Sequence, residues 1–227
     1  MLESREALIL QVLKDLPKDV VLIGGYAVNA YVPPRYSIDC DIVALEGAAE
    51  AKKTLAKHGF KETEKGDVPY GEYIRFVREG DKVSFDLLLN SVLDRDSGIV
   101  FEGNLFKQYS KERVTVGRAN PIRIKMRTAD PELLFSMKFV SARRQDIRDI
   151  FMLSGTKLDW NLIKEIIKKK CSEKLTEERA RLIKAKVTSK QYRDSLHGAF
   201  GRIPDKTFDT CSSNLLKLLD ALMQKVT

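Results

Sequence analysis

Histidine and cysteine are scarce in this chain of 227 residues: there are two histidines, His58 and His197, and three cysteines, Cys40, Cys171 and Cys211. None stands in a C-x-x-C or other close pair, so neither a disulfide framework nor a thiolate or imidazole zinc site is indicated. Metal chemistry would have to rest on oxygen ligands, which suit magnesium, calcium or manganese. No apolar run approaches the roughly 18 to 20 residues of a membrane span, and the first residues lack the basic-then-apolar layout of a signal peptide. A cytoplasmic address and no membrane partner are expected. Low-complexity tracts and internal repeats are missing as well.

Charge is plentiful but unevenly placed. Residues 1–137 carry 20 Lys and Arg against 21 Asp and Glu, whereas residues 138–227 carry 20 against 11, and the whole chain has a net charge of +8. A near-neutral half joined to a basic half suits a polyanionic partner. A lysine-rich helical surface that serves only solubility would leave the same signature.

Along the chain, Leu8, Ile9, Val12, Leu13 and Leu16 fall at helical spacing, and Pro17-Lys18-Asp19 ends that helix. The β-branched run Val20–Ile23 predicts a strand buried on both faces. Gly24-Gly25 permits a tight turn with close approach of a ligand, and a helix starting at Tyr26 would aim its N–H groups at that turn. After Pro33-Pro34, a second strand runs from Asp39 to Leu45. A helix over 48–57 and a strand over 60–64 follow, then a hairpin of 72–78 and 82–89 turning at Glu79-Gly80-Asp81. Residues 90–112 read as irregular or weakly helical, with short strands at 113–116 and 122–126. From Asp130-Pro131-Glu132, a cap followed by good helix-starting residues, the pattern is helical. Its stripes are Leu133, Leu134, Met137 and Val140, then Ile147, Ile150, Phe151 and Leu153, then Leu162, Ile163, Ile166 and Ile167. Further helices are expected over 176–187, 189–199 and 212–225. The fold class is therefore α+β: a mixed β-sheet flanked by helices over residues 1–127, then a C-terminal helical bundle over 128–227.

The chemistry-bearing residues cluster early. Side chains alternate across a strand, so Asp39 and Asp41 share one face, about 7 Å apart, while Cys40 points away. Asp86 is a carboxylate inside the apolar run Val-Ser-Phe-Asp-Leu-Leu-Leu. Singly, these are a turn, a solvated edge and a capping residue. Together they form an ordered pattern: strand, Gly24-Gly25, thirteen residues, Asp39-x-Asp41 and a distant strand aspartate. Such carboxylates could bind two divalent ions beside a backbone cradle for a triphosphate, as nucleotidyl transfer needs.

This pattern resembles the DNA polymerase β-like nucleotidyltransferase superfamily. Arg35-Tyr-Ser37-Ile-Asp39-Cys-Asp41 is similar to the Arg-x-Ser/Thr-x-Asp-x-Asp of the AbiEii-type toxins. Leu133-Leu-Phe-Ser-Met-Lys138, followed by Arg143-Arg144-Gln-Asp146-Ile-Arg-Asp149, resembles that family's helical lysine and Arg-x-x-Asp-x-x-Asp. The resemblance covers residues 20–90 and 133–153. It implies that Asp39, Asp41 and Asp86 bind two Mg2+ ions, with Mn2+ as a substitute, and that Gly24, Gly25, Arg35, Ser37 and Lys138 bind an NTP. Gly25 stands where many relatives carry serine, so backbone N–H groups would have to hold the phosphates there. Lys138 could equally be a surface lysine lying along an amphipathic helix. Arg144, Asp146 and Asp149 could equally form an intrahelical ion-pair set that stabilises the domain junction, a role that suits Asp149 in particular and leaves Asp146 open.

The expected reaction moves a nucleoside monophosphate from an NTP to an acceptor hydroxyl. RNA, tRNA included, is the first acceptor to test, since the basic half can contact phosphates. The resemblance adds a toxin role and a cognate antitoxin as partner. A cationic small molecule such as an aminoglycoside is a second acceptor class, and it predicts an acidic pocket. A catalytically silent nucleotide-binding or antitoxin-like module is the reading from another class; loss of a metal carboxylate would mark it, and none is lost.

Overall fold

The computed structural model describes residues 2–46, 48–68 and 71–224. The chain divides into two units: Met1–Leu93 with Val100–Asp130, and Asp94–Ile99 with Pro131–Thr227. The class is α+β, with a seven-stranded mixed sheet and flanking helices in the first unit and helices in the second.

In the first unit, helix α1 (Leu2–Asp15) buries Ile9, Leu10, Val12 and Leu13. Strand β1 (Val20–Leu22) is wholly buried, and helix α2 (Gly24–Val28) begins at the first glycine, two residues earlier than its pattern predicts. Strand β2 (Asp39–Ala44) and helix α3 (Ala48–Lys57) follow. Then come β3 (Lys61–Val68), β4 (Gly71–Arg78) and β5 (Val83–Leu89). The order across the sheet, completed by β8 (Ser110–Val116) and β9 (Arg123–Ala129), is β3-β4-β5-β2-β1-β9-β8. β2 pairs antiparallel with β1 and parallel with β5, which makes it the middle strand. A strand covered on both faces reads as an apolar run and rarely carries charge. Asp39 and Asp41 therefore mark this strand as unusual.

Two local expectations change. Residues 90–112 are ordered: β6 (Ser91–Asp94) pairs with β7 (Ile99–Glu102), and helix α4 (Gly103–Gln108) follows. Their apolar runs are too short to show a period. The β4–β5 turn is a 3-10 turn at Glu79–Asp81 closed by Lys82 at φ 52°, so the left-handed residue is a lysine and not Gly80.

A buried carboxylate fastens α1 to the chain between β8 and β9. Glu6, only 1 % exposed, accepts backbone N–H groups from Arg118 (2.6 Å), Ala119 (2.9 Å) and Asn120 (3.0 Å), and the Asn120 side-chain amide (3.0 Å). Glu6→Ala removes the shared acceptor of these part-buried donors and should cost on the order of 2 kcal/mol in urea unfolding, with Glu6→Gln losing about half as much.

The second unit contains α5 (Pro131–Ser141), α6 (Arg144–Leu153), α7 (Trp160–Lys170), α8 (Glu173–Val187), α9 (Tyr192–Phe200) and α10 (Asp205–Met223). Asp159 caps α7 by accepting from the Asn161 and Leu162 N–H groups, and Ser172 caps α8 through Leu175 N–H. Phe151 packs on Tyr192 and Phe208 with ring centroids 5.2 and 5.1 Å apart, and Phe135 meets Trp160 edge-on. On α5 the expected stripe is altered, since Met137 is half-buried while its neighbour Lys138 is buried. The residue expected at position 225 of the last helix lies outside the described residues.

Candidate active site

The pairing of β2 with β5 sets the geometry. In register, Asp39 faces Ser84 and Asp41 faces Asp86. All four side chains lie on one face of the sheet, because their positions along each strand differ by two. Cys40 points to the opposite face and is fully buried; burial first, then the neighbouring carboxylates, push its thiol pKa well above the ordinary value. Asp41 and Asp86 are like charges directly opposite one another, an arrangement that destabilises a sheet unless a cation neutralises it.

A cation is present within the protein. Arg75 on β4 is the register partner of Asp86 on its other side. Its Nη2 lies 3.3 Å from Asp39 Oδ1 and donates to Ser84 Oγ at 3.1 Å, and its Nε is 3.8 Å from Asp86 Oδ1. Ser84 Oγ in turn donates to Asp39 Oδ1. Tyr73 OH donates to Asp86 Oδ1 at 3.3 Å, and burial, followed by the Asp86 charge, raises the phenol pKa. Burial alone would lower the Arg75 pKa; Asp86, with smaller help from Tyr73 and Asp39, outweighs it and raises the value, keeping the guanidinium charged. Among the described residues, no group of three or more His, Cys, Asp or Glu side chains is gathered tightly enough to hold a metal ion.

The glycine turn abuts this face. Gly24 has φ +66°, and a Cβ there would lie 2.0 Å from Asp41 Oδ2. At Gly25 a Cβ would lie 2.6 Å from Ser37 Oγ and 3.0 Å from Arg35 Nη2. Gly24, Gly25, Arg35, Ser37 and Asp41 are thus brought together, and the backbone of the turn is held against Asp41 by the Ile23 N–H bond to the Asp41 carbonyl at 3.0 Å. Asn29 fixes the loop that carries Arg35, accepting its N–H at 3.1 Å and donating to its carbonyl at 3.0 Å. Tyr26 OH donates to the Ser37 carbonyl at 3.2 Å. Arg35 itself is buried and donates from Nη1 to the Tyr36 carbonyl at 2.9 Å. Gly24→Ala must both adopt a left-handed backbone, at about 1–2 kcal/mol, and displace the Asp41 carboxylate. A fall in any activity that depends on Asp41, larger than the fall in thermal stability, is the expected result.

Lys138 lies in the second unit. Its Nζ is 2.7 Å from Asp149 Oδ2 and 3.0 Å from Asp146 Oδ1, both on α6, so these aspartates pair with α5 and not along their own helix with Arg144, which is exposed. Sequence reading missed Arg75, Tyr73 and Ser84. Their only signal was position: Tyr73 and Arg75 alternate on one face of the strand that a short turn folds against Asp86.

No protein-family model matches the chain, and no curated protein matches it. Among solved structures, the chain is similar to a crystal structure from Helicobacter pylori provisionally named a nucleotidyltransferase, at 15% identity and TM-score 0.45, covering 98% of this chain and 94% of that one. It is also similar to JHP933 from Helicobacter pylori, at 14% identity and TM-score 0.47, covering 97% and 91%.

Proposed function

We propose that this chain is a nucleotidyltransferase that moves a nucleoside monophosphate from an NTP to a hydroxyl of an acceptor, RNA before others, with Mg2+ or Mn2+ as cofactor. The observation that carries the reading is the Asp41–Asp86 pair, set opposite one another on adjacent central strands with Asp39 on the same face and Gly24 against Asp41. A protein that tolerates such repulsion in the middle of a sheet has a use for it. The donor set is oxygen only, which fits a hard divalent ion. Asp39, Asp41 and Asp86 share the face on which it would bind, and they would have to draw closer together than they stand here to hold it. When bound, the ion would neutralise triphosphate charge and lower the pKa of an acceptor hydroxyl.

The chain's own residues do the rest. Backbone N–H groups at Gly24 and Gly25 would meet phosphate oxygens, since no Cβ stands in the way. Arg35 and Ser37 flank that turn, and Asp86 would accept the hydroxyl proton. The basic residues of 138–227 would supply acceptor phosphate contacts. A toxin role with a cognate antitoxin rests on the motif resemblance. Among the described residues no helix is long and apolar enough to cross a membrane.

One observation favours a silent binding module: Asp39 is engaged by Arg75 and Ser84. Incubation with each radiolabelled NTP, magnesium and total RNA, or an aminoglycoside, separates the readings. Label on RNA is the expected result; NTP binding without transfer to any acceptor would sink the enzyme reading.

A further inference from the structure

The positive charge on the carboxylate face is the protein's own, and its placement follows from strand register. Arg75, Asp86 and Asp41 occupy one row across β4, β5 and β2; Val77, Ser84 and Asp39 occupy the next. The guanidinium reaches diagonally from the first row to the second, bridging Asp86 and Asp39. A divalent ion shared by these two carboxylates would need the negative charge that Arg75 now neutralises.

We infer that Arg75 is a resident counter-ion that competes with the divalent metal for Asp39 and Asp86, so that metal entry and Arg75 release are one coupled event. This rests on the proposed metal-dependent function and adds its regulation: Arg75 sets the metal concentration at which the site becomes competent. Three features suit an exchange and not a permanent lock. The ion pairs are long, and the side chains of Arg75 and Asp39 are 33% and 43% exposed, so water already competes for them. Ser84, which accepts from Arg75, also donates directly to Asp39, and Tyr73 donates to Asp86. Both carboxylates therefore keep a positioning bond when the guanidinium leaves. Coupling of this kind is reciprocal: whatever Arg75 costs the metal in affinity, the metal costs Arg75 in occupancy.

Arg75 is a positioning residue in this account, and its test reads binding and not turnover alone. Mn2+ titrations followed by electron paramagnetic resonance would compare the wild type with Arg75→Met, Arg78→Met and Asp41→Asn. Arg78 removes the same charge from the opposite face of the same strand, where it pairs with Asp81. Arg75→Met should bind Mn2+ about tenfold more tightly, within the usual range of coupling between two ligands, while Arg78→Met stays within about twofold. Asp41→Asn should lose binding. In wild-type protein labelled with 15N, the Arg75 Nε–H resonance should shift and exchange faster with water as Mg2+ is added, which needs no variant to fold. Unchanged or weaker binding by Arg75→Met overturns the inference, and so does equal tightening by Arg78→Met, which would show only a long-range charge effect. In either case, Asp41-dependent binding by the wild type would leave the enzyme reading standing. No Mn2+ binding by any of the four proteins would remove both.

Discussion

Asp41→Asn is expected to lower nucleotidyl transfer on the order of 10³-fold, since a bound metal supplies several kcal/mol of transition-state charge stabilisation and each ~1.4 kcal/mol is tenfold. The same substitution should leave the melting temperature unchanged or slightly higher. Asparagine has the shape of aspartate, so the tight contact with the Gly24 backbone is kept. It also removes one of two like charges set opposite across β2 and β5, an arrangement that destabilises a sheet. Loss of activity with gain of stability is the signature of a site maintained against the interest of the fold. Single-turnover transfer and scanning calorimetry on one preparation check both halves. A melting temperature that falls in step with activity would make Asp41 a structural residue and weaken the metal reading.

How far this site could be read in advance depends on which contacts are local. The face shared by Asp39 and Asp41 follows from the two-residue period of a strand, and the Gly24-Gly25 turn follows from backbone freedom at one place in the chain. Asp86 was visible because a carboxylate stands out in an apolar run. Arg75, Tyr73 and Ser84 were not, because each acquires meaning only when β4, β5 and β2 align in a particular register. Charge on a strand with alternating polarity otherwise reads as its solvated side.

Helix α5 shows a different limit. Leu133, Leu134, Phe135, Phe139 and Val140 are all buried, so the helix is apolar around most of its circumference and period alone cannot select a face. Hydropathy then assigned Met137 inward and Lys138 to the edge. The structure buries Lys138 because two carboxylates wait for it on α6. A pairing of that kind leaves no periodic trace.

Lys138→Met should therefore act on stability first. The lysine side chain is 9% exposed and the Asp149 side chain 0%, so removing the ammonium leaves a buried carboxylate with its strongest compensation gone. Breaking a buried pair from one side costs about 3–5 kcal/mol, which for a chain of this size lowers the melting temperature by roughly 10 °C. The loss arises from the stranded charge and not from a missing attraction, because burying the pair was itself expensive. Asp149→Asn added to Lys138→Met should then recover more than half of the deficit. The double variant also separates this role from phosphate binding. If Lys138 serves the fold, its NTP affinity, measured well below the melting temperature, stays within about threefold of the wild type. If Lys138 holds a triphosphate, losing a charge-assisted hydrogen bond worth about 1.5–3 kcal/mol weakens NTP binding by roughly 10- to 150-fold even where stability has been restored. The 2.7 Å contact with a fully buried aspartate favours the first outcome.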